Sequence, residues 1–154
     1  MIGRAGPRHT GRGIVVQDGK ILLMERWRDD LHYFSIPGGG IEALESPEQA
    51  AVREIAEETS VQVTIVKEIL QLIDAEVKHH IFLCKYISGR PHLPKDSEEA
   101  KQGAKNRFEP CWFDLKQVEE LPFLYWQPIK QPLLTAISND FEADIAIVRV
   151  GSTA

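Results

Sequence analysis

No apolar run in this sequence comes near the ~18 residues that a membrane-spanning helix needs, so no membrane partner is expected. The opening MIGRAGPRHT holds no apolar stretch of the kind that marks a signal peptide. Cysteine is scarce: Cys84 and Cys111 stand far apart and form no CxxC unit. Buried free thiols in reducing surroundings are expected, not a disulfide or a thiolate metal site. Basic residues do not dominate, with 18 against 23 acidic ones and a net charge of −5, so nucleic acid is not an expected partner. Internal repeats and low-complexity tracts are absent as well. What remains is the expectation of one cytoplasmic globular domain over residues 1–154. Its 43% hydrophobic residues suffice for a core.

What is present reads as strands first, one helix in the middle and helices late. GIVVQDGKILLMERW carries two apolar runs split by Asp18-Gly19, the pattern of two strands around a tight turn. YFSIPGGG is a short aromatic strand end followed by Pro37 and three glycines. Ser46, Pro47 and Gln49 spell a helix start, with the helix running to about Ser60. VQVTIVKEILQLID and KHHIFLCKYI predict two longer, paired strands with a turn near Ala75 to Val77. Residues 89–107 are polar, and a loop of that length is usually functional or disordered. PCWFDL predicts a short strand, KQVEEL a helical turn, and YWQPIKQPLLTAIS a helix despite Pro132. DIAIVRV predicts either a last strand of the sheet or a strand that pairs across a homodimer. The order implies an α+β class, a helix–sheet sandwich.

The middle helix, SPEQAAVREIAEETS, sets Glu48, Glu54, Glu57 and Glu58 against the single Arg53. At roughly 100° per residue, Val52, Ile55, Ala56 and Thr59 share a stripe expected to face the core, with Glu54, Glu57 and Glu58 opposite. A wet helix face is one explanation. Yet like charges three or four residues apart destabilise a helix by ~0.2–0.5 kcal/mol per pair. Glu57 and Glu58 also lie toward the C-terminus, where the helix dipole disfavours anions. A hard divalent cation removes both penalties, because Mg²⁺ prefers carboxylate oxygens. Gly38, Gly39 and Gly40, just upstream, allow a backbone carbonyl to come close to a ligand.

The stretch from Gly39 to Val61, GGIEALESPEQAAVREIAEETSV, resembles the signature of the Nudix hydrolases. The matching positions are Gly39, Glu45, Arg53, Glu54, Ile55, Glu57, Glu58 and Val61. Ser60 departs, standing where the family has glycine, and is expected to weaken the helix C-cap. The resemblance implies an α/β/α sandwich with a mixed β-sheet. It implies hydrolysis of a phosphoanhydride in a nucleoside diphosphate linked to another moiety, with Mg²⁺ or Mn²⁺ required. By the same resemblance Glu54, Glu57 and Glu58 hold metal together with the carbonyl of Gly38. One carboxylate, from this set or from a later loop, takes a proton from the attacking water. Glu45 and Arg53 are expected to form a salt bridge that ties the glycine loop to the helix.

Around this set the candidates are looser. Glu98, Glu99 and Glu109 are possible later carboxylates, and Lys95, Lys101, Lys105 and Arg107 possible phosphate contacts. Arg26 and Arg28 are further phosphate candidates, and Tyr33 or Phe34 could stack on a base. His79 and His80 are neighbours on a strand, so they point to opposite faces and are set aside as ligands of one metal. Some Nudix subgroups carry a proline or a tyrosine at a set distance past the box, marking ADP-ribose and dinucleoside polyphosphate substrates. The corresponding DAEVKHH has neither, which demotes both and leaves nucleoside triphosphates and nucleotide sugars open. Two other classes stay in view: a catalytically silent nucleotide-binding regulatory module of the same fold, and a purely structural acidic helix.

Overall fold

Residues 7–93 and 106–151 are described in the computed structural model. Strand β1 (Arg8–Gln17) turns into β2 (Lys20–Arg28) through Asp18 and Gly19. Both turn residues have positive φ, 51° and 74°, as a two-residue hairpin requires. β3 (Leu31–Ser35) folds back on β2, and the glycines form β4 (Gly38–Gly40) alongside β1. Helix α1 (Pro47–Thr59) follows. β5 (Gln62–Ile73) and β6 (Val77–Ser88) make a long antiparallel pair. β7 (Asn106–Asp114) joins β2 over its whole length, longer than the PCWFDL run suggests. Short 3-10 turns at Leu115–Glu120 and Leu124–Trp126 lead to α2 (Gln127–Ser138), and β8 (Ala146–Arg149) comes last.

The strands lie in the order β3-β2-β1-β6-β5-β8, with β4 on β1 and β7 on β2. The β1–β6 and β5–β8 pairs are parallel and the rest antiparallel, which makes the sheet mixed. The terminal apolar segment is thus the outermost strand of this sheet. Alternation along β1 sends Ile14 to one face and Val15 to the other. Ile14, Ile21, Leu23 and Ile81 pack with Ile129 and Leu133 of α2 on one side. Val15, Leu22 and Phe82 pack with Ala51 and Ile55 of α1 on the other. Each fully buried aliphatic chain contributes about 1.5–3 kcal/mol, so both helices are held by their apolar contacts.

Helix α1 begins where its sequence says it should. The Gln49 N–H donates to Ser46 Oγ at 3.1 Å, and the Ser46 N–H donates to the Gln49 side chain at 2.8 Å. Such a cap is worth about 1 kcal/mol. The buried face differs from the expected stripe: Ala50, Ala51, Ile55 and Thr59 are buried, while Val52 and Ala56 are only half-buried. The cause is Gly11 on β1, where a Cβ would run into the Pro47 carbonyl oxygen and the Ala51 nitrogen. The helix backbone lies directly on the strand, and its smallest side chains face the sheet. At the other end Ser60 takes the left-handed conformation, φ 65°, that glycine adopts more readily. Its hydroxyl donates to the His92 carbonyl at 2.9 Å, which helps to hold it there.

Cys84 is buried, and burial pushes its thiol up to about 12. Cys111 is exposed, contrary to expectation, because β7 has only β2 as a neighbour and sits at the rim of the sheet.

Candidate active site

The glycine run is held where side chains would not fit. Gly38 has φ 149°, and a Cβ on it would meet the Arg12 backbone and side chain and the Gly11 carbonyl. A Cβ on Gly39 would lie 2.5–2.8 Å from the carboxylate atoms of Glu54. The Glu54 carboxylate therefore rests in the space that any other residue at Gly39 would fill.

Arg53 is the organiser of the helix carboxylates. Its Nε and Nη2 donate to the two oxygens of Glu45 at 2.7 and 2.9 Å, a bidentate pair. Nη2 also donates to the Gly40 carbonyl at 3.0 Å, and Nη1 reaches Glu54 at 2.9 Å and Glu57 at 3.3 Å. The Glu45–Arg53 pair thus ties the loop before α1 to the glycine strand. Hydrogen bonding to Arg53, helped by the Glu42 N–H, holds the Glu45 carboxyl down at about 2. The same bond raises the Arg53 guanidinium above its ordinary value. Glu54 and Glu58 are half-buried, whereas Glu57 is exposed, so the three do not share one environment.

β1 pairs with β2 only at Val16–Ile21 and Gln17–Lys20, and β3 takes over β2 from Met24 onward. In the fork lies a polar cavity of about 290 Å³. Its lining brings Glu58, Gly38 and Arg12 together with Met24, Arg26, Tyr33, Ser35, Phe108, Tyr125 and Trp126. The Arg26 guanidinium stacks on Phe108 at 3.8 Å and faces Tyr33 at 5.7 Å, while its buried Nε has no hydrogen-bond partner among the described residues. Arg12 donates Nη1 to the Ile36 carbonyl at 3.0 Å and Nε to His79 Nδ1 at 3.3 Å. It lies 4.6 Å over the Trp126 ring. Burial pushes Arg12 down to about 10, against the pull of Glu58 and Glu54.

The arrangement fits a hard divalent cation in its chemistry. The donors at hand are all oxygen, from Glu54, Glu58 and the Gly38 carbonyl, and the cradle at Gly39 brings the Glu54 carboxylate against the glycine strand. Among the described residues no three His, Cys, Asp or Glu side chains are gathered into a ready-made cluster; here the guanidinium of Arg53 stands between Glu54 and Glu57.

Of the looser candidates, Arg26 lines the cavity, and Arg28 is exposed at the end of β2 outside it. Tyr33 faces the cavity, but Phe34 does not. Phe34 is buried in the α2-side core against Phe113, because neighbours on a strand point to opposite faces. Glu109 is likewise turned away: it neighbours Phe108, which lines the cavity, and pairs with Arg107 at 3.2 Å on the other face. Lys95, Glu98, Glu99, Lys101 and Lys105 lie outside the described residues. His79 and His80 do diverge, His79 toward Trp126 at 4.7 Å and His80 toward Glu68 at 2.8 Å. Sequence reasoning passed over Arg12, Tyr125 and Trp126.

Comparison with known proteins points the same way as the geometry. A family model described as NUDIX domain matches residues 7–136. The ADP-ribose pyrophosphatase of Methanocaldococcus jannaschii is 32% identical over 126 residues, covering 77% of this chain and 68% of that protein. An RNA pyrophosphohydrolase of Zymomonas mobilis is 26% identical over 152 residues, covering 88% of this chain and 96% of its own. Among solved structures, a NUDIX hydrolase from Nitrosomonas europaea superposes with a TM-score of 0.75 at 18% identity, over 99% of this chain and 83% of that one. The mixed sheet between two helices is the fold they have in common.

Proposed function

The chain belongs to the Nudix family of hydrolases, and on that footing we propose that it cleaves a phosphoanhydride bond in a nucleoside diphosphate linked to a further moiety. One observation carries the reading. Glu58 and the Gly38 backbone stand on the wall of the same cavity as two arginines, Arg12 and Arg26. Carboxylates alone would describe a cation site, and arginines alone an anion site. Their juxtaposition describes a place for a metal-bridged polyphosphate.

In this reading Glu54, Glu57, Glu58 and the Gly38 carbonyl would hold Mg²⁺ or Mn²⁺. Such an ion supplies charge neutralisation for the diphosphate and a more acidic water. Arg53 acts one step back, fixing Glu54 by its Nη1 and the glycine strand by its Nη2. Arg12 and Arg26 bind phosphate oxygens, and the unpartnered Arg26 Nε is a donor that a phosphate would satisfy. One carboxylate of the set accepts the proton of the attacking water. Tyr33, Phe108 and Tyr125 offer apolar faces for the base or sugar.

The names of the relatives, ADP-ribose pyrophosphatase and RNA pyrophosphohydrolase, support the class of bond and leave the rest of the substrate to be measured. The test is a panel of nucleoside triphosphates, ADP-ribose, nucleotide sugars and dinucleoside polyphosphates, each with Mg²⁺, with Mn²⁺ and with chelator, beside Glu58→Gln. We expect metal-dependent turnover that falls at least about 100-fold in the variant. Metal and nucleotide binding without turnover on any member would replace this reading with a silent nucleotide-binding module.

A further inference from the structure

Arg12 is held in an unusual company for a half-buried cation. Its hydrogen bonds and ring contact among the described residues go to neutral groups, the carbonyls of Ile36 and Gly38, the imidazole of His79 and the ring of Trp126, while Glu58 and Glu54 act on it as nearby charges. A structural arginine in such a place ordinarily meets a carboxylate, which offsets the cost of burying its charge.

The hydrogen bonds fix the state of His79. Arg12 Nε can only donate, so His79 Nδ1 must present its lone pair. Thr10 Oγ1, 2.7 Å from the same Nδ1, is then also a donor, and the imidazole proton sits on Nε2. Thr10 is buried, and the His79 ring is backed by Trp126, which also underlies Arg12. A buried hydroxyl, an indole and the β1–β6 register thus converge to hold a neutral imidazole against the guanidinium. Nε and Nη1 are used in these bonds, whereas Nη2 makes none among the described residues and Arg12 lines the cavity.

We propose that His79 is a positioning residue that orients Arg12 toward substrate phosphate without neutralising it. An aspartate or glutamate at this position would fix the guanidinium equally well in space, but it would also quench the charge and compete with the phosphate for its donors. A neutral acceptor does the first and not the second. The inference rests on the hydrolase reading for its setting, since that reading makes Arg12 a phosphate contact.

The isosteric pair His79→Asn and His79→Asp tests it, because the two variants leave the same cavity and differ only in charge. Each is measured for kcat and KM on the best substrate of the panel. Each is also titrated with inorganic pyrophosphate and Mg²⁺ by calorimetry, with thermal unfolding to confirm folding. The expected result is a KM raised about tenfold or more in His79→Asp with kcat changed much less, and substantial rescue in His79→Asn. Pyrophosphate affinity should follow the same order. Equal losses in the two variants, in KM and in pyrophosphate binding, would assign His79 to packing and overturn the proposal. If the native protein turns over nothing, pyrophosphate binding kept in His79→Asn and lost in His79→Asp sinks the hydrolase reading and sustains this one. A native protein that binds no pyrophosphate overturns both.

Discussion

A single methyl group at Gly39 should separate the acidic helix from the loop it works with. In Gly39→Ala the new Cβ would stand 2.6 Å from Glu54 Oε2, against an ordinary contact distance of at least 3.4 Å. The carboxylate must retreat by 3.4 − 2.6, about 0.8 Å. The backbone itself raises no objection, because Gly39 is not at positive φ. The penalty therefore falls on the carboxylate, and first on its 2.9 Å bond from Arg53 Nη1. Both side chains are less than a quarter exposed, at 19% and 23%. Losing that charge-assisted bond costs about 1.5–3 kcal/mol at most, and partial solvent access reduces this to about 1–2 kcal/mol. For a chain of this size that is a fall in Tm of roughly 2–8 °C. If Glu54 holds the metal as proposed, a shift of this size should also lower turnover by about 100-fold.

Gly40→Ala is the matched control, since a Cβ there meets nothing within 4 Å and the residue is not at positive φ. Thermal unfolding with and without Mg²⁺, and turnover on the best substrate, would be compared for the two alanines. Gly39→Ala should lose stability, metal-linked stabilisation and turnover together, and Gly40→Ala should track the native protein. Equal behaviour of the two would refute the idea that the space at Gly39 exists to seat the carboxylate.

The pH dependence of stability should show two regions. Burial, then the nearby Arg12 charge, holds folded His79 at about 4 against an ordinary 6.5, so the unfolded chain takes up that proton first; stability is full above 6.5 and falls as pH drops toward 4. Glu45, held at about 2 against 4.5, contributes stability above 4.5 that is lost as pH falls through 2. Unfolding midpoints in denaturant across pH 2–8 check both, and the upper slope should flatten in His79→Asn. For the thiols, a disulfide reagent should label Cys111 rapidly in the native protein and Cys84 only on unfolding, because one is exposed and the other buried with its thiol pushed up to about 12. Equal labelling rates under native conditions would contradict the packing of Cys84 beneath α1.

What the sequence made legible was local. The cap at Ser46 and Gln49 and the span of α1 depend on residues a few positions apart, where helix geometry fixes the outcome, whereas the Arg53–Glu45 pair, reaching from the helix to the loop before it, was implied by the resemblance of the motif. The side of a strand is harder. Tyr33 and Phe34 are equally aromatic, and only the register of β3 on β2 decides that the first lines the cavity and the second enters the core. The same parity turns Glu109 away while Phe108 faces in. Arg12 and His79 lay beyond reach for a further reason. Their meeting depends on β1 and β6 lying parallel with Thr10 opposite His79, and no local pattern near either residue encodes that.

That parallel joint also sets an order in time. β1 and β6 are separated in sequence by residues 18–76, so closing them carries the entropy of a long loop, while the β1–β2 turn, α1 and the β5–β6 hairpin are short-range. Contact order therefore predicts that the glutamate helix and the glycine strand assemble early in refolding. The Thr10–His79–Arg12 junction, which exists only across the joint, arrives late. A refolding chain would recover its helical signal before it recovers the arginine proposed to bind phosphate, and the lag between the two is the closing time of one parallel strand pair.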